Sequence, residues 1–227
     1  MAILCPRYNL LFIMTPRTAC TAIGELLLKQ FGGEYIPGKD ILDSHGRISV
    51  PRKHTTLSQL IQHGLLTVTE SESLLKVAAV RNPFDSLVSE YLKKRFKYKP
   101  LLSAPSSWVN RQPRYAEDMR YCQTHSFNAW IFRMCSKKII KRLLGNQPSM
   151  FTDFTGGMDV VMRYESIQED LGEVFKRAGI LSKAEIPVVN RTAERNGRDY
   201  RLFYSRPAAL MVRCAYSHDL ETYGYRL

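Results

Sequence analysis

No Cys-x-x-Cys pair occurs in this chain, and its five cysteines, Cys5, Cys20, Cys122, Cys135 and Cys214, are odd in number. That argues against a zinc site built on paired thiolates and against a disulfide scaffold, and it fits a reducing compartment. Internal repeats and low-complexity tracts are missing too, so a solenoid or a linker-rich protein is excluded. The first candidate strand begins about ten residues in, which leaves no room before it for a signal peptide or a transmembrane segment. The expectation is a soluble, cytoplasmic protein. Acidic residues are the minority: 21 Asp and Glu stand against 33 Lys and Arg, a net charge of +12. Such a balance implies an anionic partner but leaves nucleic acid, acidic polysaccharide, lipid headgroup and nucleotide all open. At 227 residues the chain is expected to be a single domain, residues 1–227, burying roughly 70–75% of its unfolded surface.

What is present is organised around residues 9–24. Leu10 to Met14 form a short apolar run, a polar loop follows, and residues 25–29 favour a helix, so the order reads strand, tight loop, helix. A loop entering a helix leaves backbone N–H groups unpaired, and the helix dipole adds partial positive charge there. Thr18 and Thr21 bring hydroxyls and Arg17 a charged fork, so the stretch can hold a phosphate without a metal. It is not a Walker loop, which needs a preceding glycine and a Gly-Lys-Ser/Thr end. It is not a cysteine phosphatase loop either, because Leu26 stands six residues after Cys20.

Farther along, helices are expected over residues 21–31 and from Leu57 up to Gly64, the latter capped by Thr55 or Thr56. A nearly unbroken apolar run at 74–80 suits a strand buried on both faces. A helix is expected over 84–98, then a long irregular loop over 99–124 containing Pro100, Pro105 and Pro113. Helical patterning at 125–144, a strand at 158–162, a helix at 165–178 and another at 207–216 complete the chain. Strands separated by helices predict a three-layer α/β/α fold with a central parallel sheet and ligands at the carboxyl ends of its strands.

Arg81 ends the strand at 74–80, and Ser89 lies eight positions on, about two turns into the next helix. Pro16, Arg17, Thr18, Ala19, Cys20, Thr21 and Ala22 resemble, without a gap, the 5′-phosphosulfate loop of sulfotransferases that use 3′-phosphoadenosine 5′-phosphosulfate (PAPS). That loop has the form Pro-Lys-Thr-Ala/Gly-Ser/Thr-Thr-Ser. Arg17 replaces its lysine, Cys20 a hydroxyl residue, and Ala22 the serine common in the carbohydrate branch. Arg81-Asn82-Pro83 with Ser89 resembles the 3′-phosphate motif of the same enzymes. Arg163-Tyr164-Glu165 resembles a further family segment, and Asn190-Arg191-Thr192 and the residues from Asp219 to Tyr225 resemble closing segments of the carbohydrate (type 2) branch, in bacterial-type soluble form.

The resemblance implies a P-loop nucleotide-hydrolase-like sulfotransferase fold and transfer of a sulfuryl group from PAPS to a hydroxyl-bearing acceptor, with adenosine 3′,5′-bisphosphate as product and no metal. A carbohydrate or glycolipid acceptor is favoured, a small alcohol next. Cofactor contacts are expected from the seven loop residues 16–22, from Arg81 and Ser89, and from Arg191 and Arg195. Arg17 is expected to stabilise the leaving phosphate electrostatically. His54, in Lys53-His54-Thr55-Thr56, is the first choice of general base, an imidazole titrating near neutrality suiting that role; His45 and Asp40 are the reserves. Two other classes compete: a small-molecule kinase, disfavoured by the lack of Walker spacing, and a basic nucleic-acid-binding protein, suggested by charge alone. No nucleic-acid partner is expected, and the sequence does not set the oligomeric state.

Overall fold

The computed structural model describes residues 2–45, 48–104, 106–182, 184–187 and 195–227. Arg191, and with it the segment Asn190-Arg191-Thr192, lies outside them. The chain divides into two compact units, Met1–Arg81 with Phe151–Asn190, and Asn82–Met150 with Arg191–Leu227.

In chain order, the first unit opens with β1 (Ala2–Cys5), β2 (Leu10–Ile13), α1 (Cys20–Gln30) and β3 (Glu34–Ile36). A small hairpin of β4 (Ile41–Leu42) and β5 (Ile48–Val50) follows, then α2 (Leu57–Gln62), α3 (Val68–Glu72) and β6 (Leu75–Val80). The second unit takes α4 (Pro83–Leu92), α5 (Pro113–Thr124) and α6 (Phe127–Leu143). The first resumes with α7 (Thr152–Thr155), β7 (Val160–Arg163) and α8 (Ile167–Arg177), and the second closes with α9 (Arg206–Ala215) and α10 (Ser217–Thr222).

The main sheet has the order β3-β1-β2-β6-β7. Its β2, β6 and β7 are parallel, as predicted, but β1 runs antiparallel to both β2 and β3. The sheet is therefore mixed at one edge. The reason is local: β1 and β2 are joined only by a single 3-10 turn, Pro6–Tyr8, and Asn9 at φ +47°, and so short a connection permits only an antiparallel pair.

Alternation along β2 divides the core. Leu10, Phe12 and Met14 pack with Ile23 and Leu27 of α1 and with Val174 and Phe175 of α8. Leu11 and Ile13 pack with Leu60 of α2 and, on its rim, Phe154 of α7. Helices thus cover both faces, giving the three layers. Gly24 lets α1 lie close to the sheet: a Cβ there would sit 2.9 Å from Ile3 Cδ1 and 3.2 Å from Met14 Cε.

The second unit is helical, with Trp130 of α6 buried among Tyr91 of α4, Ala208 and Val212 of α9, and Phe127. The stretch 99–124, expected to be irregular, holds two 3-10 turns, Lys99–Leu102 and Trp108–Arg111, and then α5. Pro113 sits at the start of α5, where a missing N–H costs nothing, so it opens the helix instead of breaking it. The helix expected over 84–98 ends its α-turns at Leu92 and continues as a wider π-turn, Lys93–Lys97.

Candidate functional site

In the first unit, the segments that leave the carboxyl ends of β2, β6 and β7 lie along one rim of the sheet, the place where parallel sheets receive ligands. After β2, Thr15 N donates to Ile13 O at 3.0 Å, and the buried Thr18 Oγ1 donates to Thr15 O at 2.9 Å, drawing the loop into a ring. Arg17 has φ +68° and Ala19 φ +59°, with Thr18 between them on the ordinary side. Residues of alternating hand turn successive amides toward one side, the nest geometry that receives anions. The amides of Thr18, Ala19, Cys20 and Thr21 donate to no backbone carbonyl among the described residues. The first bonds of α1 run from Ala22 at 2.9 Å and Ile23 at 3.2 Å, both to Ala19 O. The cradle is main chain, and Ala22, buried with its amide engaged, lies at its inner end.

Among the described residues, five other than glycine have positive φ: Asn9, Arg17, Ala19, His54 and Asn196. Asparagine tolerates that conformation, whereas other side chains raise the energy by roughly 1–2 kcal/mol per residue. The three that are not asparagine all belong to the predicted site. Thr15 Oγ1 adds a desolvation cost of about 1–3 kcal/mol, being buried with no hydrogen-bond partner among the described residues. Strain concentrated in this way marks a segment held in shape by its surroundings. Cys20, by contrast, is not activated by its place at a helix start. Burial pushes its thiol pKa up, and the charges of Lys53 and Arg17 offset this only in part.

His54 is positioned by three local features. Its backbone is left-handed at φ +66°, Thr55 Oγ1 bonds Pro51 O, and Thr56 opens α2 with a capping box in which Gln59 N donates to Thr56 Oγ1 at 3.2 Å and Thr56 N to Gln59 Oε1 at 3.0 Å. The ring then meets the loop: Nδ1 lies 2.6 Å from Met14 O, and Phe154 packs against its edge. A carbonyl can only accept, so Nδ1 carries the proton and Nε2 holds the free lone pair. Burial lowers the His54 pKa to about 4, with Lys53 and Arg17 adding to the fall and the Met14 carbonyl opposing it. The expectation of titration near neutrality is thereby corrected; the ring is neutral at pH 7. The two reserves are placed otherwise. His45 is exposed, its amide bonded to Asp43 at 2.8 Å, and Asp40 accepts from Arg52 N at 2.5 Å.

After β6, Arg81 is buried and its Nη1 donates to Arg17 O at 3.0 Å, while its guanidinium lies 3.9 Å from the ring centre of Tyr164, just beyond β7. The two arginines of the predicted phosphate motifs are thus joined through the loop's own backbone. The second unit begins with the rest of that motif. Asn82 Oδ1 accepts from Phe84 N at 3.0 Å, capping α4, and Pro83 holds the first helical position. Asn82 Nδ2 also reaches Arg226 O at 2.7 Å. Among the described residues, Ser89, two turns into α4, is buried and makes no side-chain hydrogen bond, and Ser86, one turn earlier, is buried with no partner for its Oγ. Arg195 is engaged by Asp85 at 2.6 Å and by Arg198 O at 2.7 Å.

A family model described as the sulfotransferase family matches residues 1–226. The chain belongs to that family. Within it, the match is to the type 2, carbohydrate sulfotransferase group, whose reaction is sulfuryl transfer. No curated protein and no solved structure matches the chain.

In this sulfotransferase-family chain two residues of the site were not singled out as site residues from sequence. Tyr164 stacks under Arg81; its signal was an aromatic placed directly after a parallel strand. Lys53 is exposed and its charge acts on both Cys20 and His54, which places a second cation beside the loop. Asp170, in the same segment as Tyr164, has a structural role: it accepts from Arg163 N at 2.6 Å and from Ser166 Oγ at 3.1 Å at the start of α8.

Proposed function

We propose that this chain moves a sulfuryl group from PAPS to the hydroxyl of a carbohydrate or glycolipid acceptor. The observation that carries the reading is the nest at Arg17 and Ala19, with four successive amides that donate to no backbone carbonyl among the described residues and Arg81 fastened to the carbonyl of Arg17. An oxyanion of the 5′-phosphosulfate suits that cradle, since hydrogen bonds to a charged acceptor are about twice as strong as neutral ones. The donor supplies an activated sulfuryl group and leaves as adenosine 3′,5′-bisphosphate.

The chain's own groups then have distinct tasks. The amides of residues 18–21 and the Arg17 guanidinium stabilise charge on the phosphate oxygen as its bond to sulfur breaks. Arginine stays protonated, so this help is electrostatic and donates no proton. Nε2 of His54 takes the acceptor's proton as the acceptor oxygen bonds sulfur; its Nδ1 bond to Met14 O fixes the tautomer that leaves Nε2 open. A ring with a pKa of about 4 is a weak base in the free protein, and a bound polyanion raises that value by favouring the imidazolium. Arg81 and Ser89 are assigned the 3′-phosphate on their spacing in the sequence, and Arg195, held by Asp85, serves the start of α4.

Calorimetry with adenosine 3′,5′-bisphosphate beside 5′-AMP tests the reading. The bisphosphate is expected to bind at least tenfold more tightly. Equal affinity overturns it, because neither a kinase nor a nucleic-acid binder needs that extra phosphate.

A further inference from the structure

The outward face of a surface helix is ordinarily polar. On α6 it is not. Phe132, Ser136, Ile140 and Leu143 recur every three or four residues along one line, opposite the face that buries Trp130 and Ile131. Phe132 is 40% exposed, Ile140 57%, Leu143 82% and the following Leu144 75%.

Charge on this helix is of one sign. It carries Arg133, Lys137, Lys138, Lys141 and Arg142 and no Asp or Glu. Three are occupied: Arg133 pairs with Glu117 at 2.5 Å, Lys138 lies 5.1 Å from the ring centre of Tyr216, and Arg142 donates to Cys214 O at 2.7 Å. Lys137 and Lys141 are exposed and form no ion pair among the described residues. Alongside, α9 runs in the same direction, tied near its start by Ser205 N to Asn128 Oδ1 at 3.0 Å and near its end through Cys214. It has no acidic residue either, and its Leu210, 60% exposed, lies between Arg206 and Arg213 in sequence.

We propose that the face formed by α6 and α9 docks on an anionic lipid bilayer, with Ile140, Leu143 and Leu144 entering the headgroup boundary while Lys137 and Lys141 meet lipid phosphates. An aliphatic ridge flanked by lysines is what an interfacial helix presents to such a surface. A nucleic acid satisfies the lysines but gives the leucines nothing to enter. A second copy of the chain brings the same cations face to face. The contact lies on the membrane and does not cross it, as no helix among the described residues is long and apolar enough to span one.

The test is co-sedimentation of the full chain with vesicles of phosphatidylcholine alone and of phosphatidylcholine mixed with phosphatidylglycerol. Binding to the mixed vesicles is expected to be at least tenfold stronger and to weaken as salt is raised. Leu143→Ser with Leu144→Ser should reduce it about tenfold, and Lys137→Gln with Lys141→Gln by a similar factor. All four side chains are exposed, so far-UV circular dichroism and binding of adenosine 3′,5′-bisphosphate should not change. Equal binding to both vesicles, binding to neither, or indifference to the leucine pair overturns the proposal. So does displacement by soluble glycerol phosphate, which means recognition of a free phosphate, or equally tight binding to a DNA duplex that depends on the lysines and not on the leucines.

Discussion

After β2 the chain turns through Arg17 and Ala19 in left-handed conformation and leaves four amides without a backbone acceptor among the described residues; after β6 it turns through Asn82 and Pro83, each the residue a helix start favours. The first turn is strained and, on the proposed function, has its binding groups on the backbone. The second is relaxed and on the same proposal carries its chemistry on side chains, with Arg81 before it and Ser89 within the helix it opens. Where backbone amides do the binding, the local conformation itself is under functional demand, and the surrounding contacts must hold it: the Thr18 to Thr15 bond, the Arg81 to Arg17 bond, and the close approach of α1 at Gly24. Where side chains do the binding, the backbone is free to follow its own preferences.

The widest break in that comparison is expected at Arg17, the one charged side chain of the strained loop. Arg17→Ala should lower turnover at least a hundredfold, while Arg17→Lys restores most of it. Near-normal turnover in Arg17→Ala assigns the whole of the charge stabilisation to the amides. Next in size is Arg81→Lys, which keeps the charge and loses the fork that bonds Arg17 O and, on the proposed function, the phosphate. Calorimetry should show affinity for adenosine 3′,5′-bisphosphate falling about thirtyfold and affinity for 5′-AMP falling less. Equal falls for the two ligands assign Arg81 to loop bracing alone.

A third effect is pH-linked. His54 has a folded pKa of about 4 against an ordinary 6.5, so the unfolded chain binds the proton more readily. Its contribution is fully present above pH 6.5 and is lost as pH falls toward 4, to the extent of at most about 3 kcal/mol before solvent screening. Thermal melts of His54→Gln should show less loss between pH 7 and pH 4.5 than the unsubstituted chain, and an unchanged pH dependence means the ring is solvated. An NMR titration of the same histidine should move upward when the bisphosphate binds.

What could be read from sequence followed the range of the forces involved. The strands at 74–80 and 10–14, the helix from Leu57 with its Thr56 cap, and the order of the two motifs rest on local periodicity and capping, and local signals survive in one dimension. The parallel heart of the sheet followed from them. β1 is only four residues long and is followed at once by Pro6, too short to show alternation, and with it the antiparallel edge was missed. Pro113 read as a breaker because a proline's effect depends on which helical position it takes. The anion-binding loop was legible, but the left-handed backbone at Arg17 and Ala19 was not: no glycine marks either position, and tertiary contacts impose their conformation. The His54 pKa was misread because burial depresses it, and the groups that meet the ring, Met14 and Phe154, lie 40 and 100 positions away in sequence.

The smallest predicted effect separates the two turns most directly. If the loop after β2 is strained and the turn after β6 is not, substitutions toward backbone freedom must act in opposite directions on them. Glycine accepts φ +59° without the Cβ penalty, so Ala19→Gly should raise stability by about 0.5–1 kcal/mol even though glycine also frees the unfolded chain. Asn82→Ala removes a cap and two further bonds, to Tyr200 Oη at 3.1 Å and to Arg226 O at 2.7 Å, and should lower stability by about 1–2 kcal/mol. In thermal melts these correspond to shifts of about 2–4 °C per kcal/mol, upward for one variant and downward for the other. Two downward shifts of similar size mean that Ala19 sits comfortably where it is, and the case for a loop held in shape for its ligand then rests on Arg17 alone.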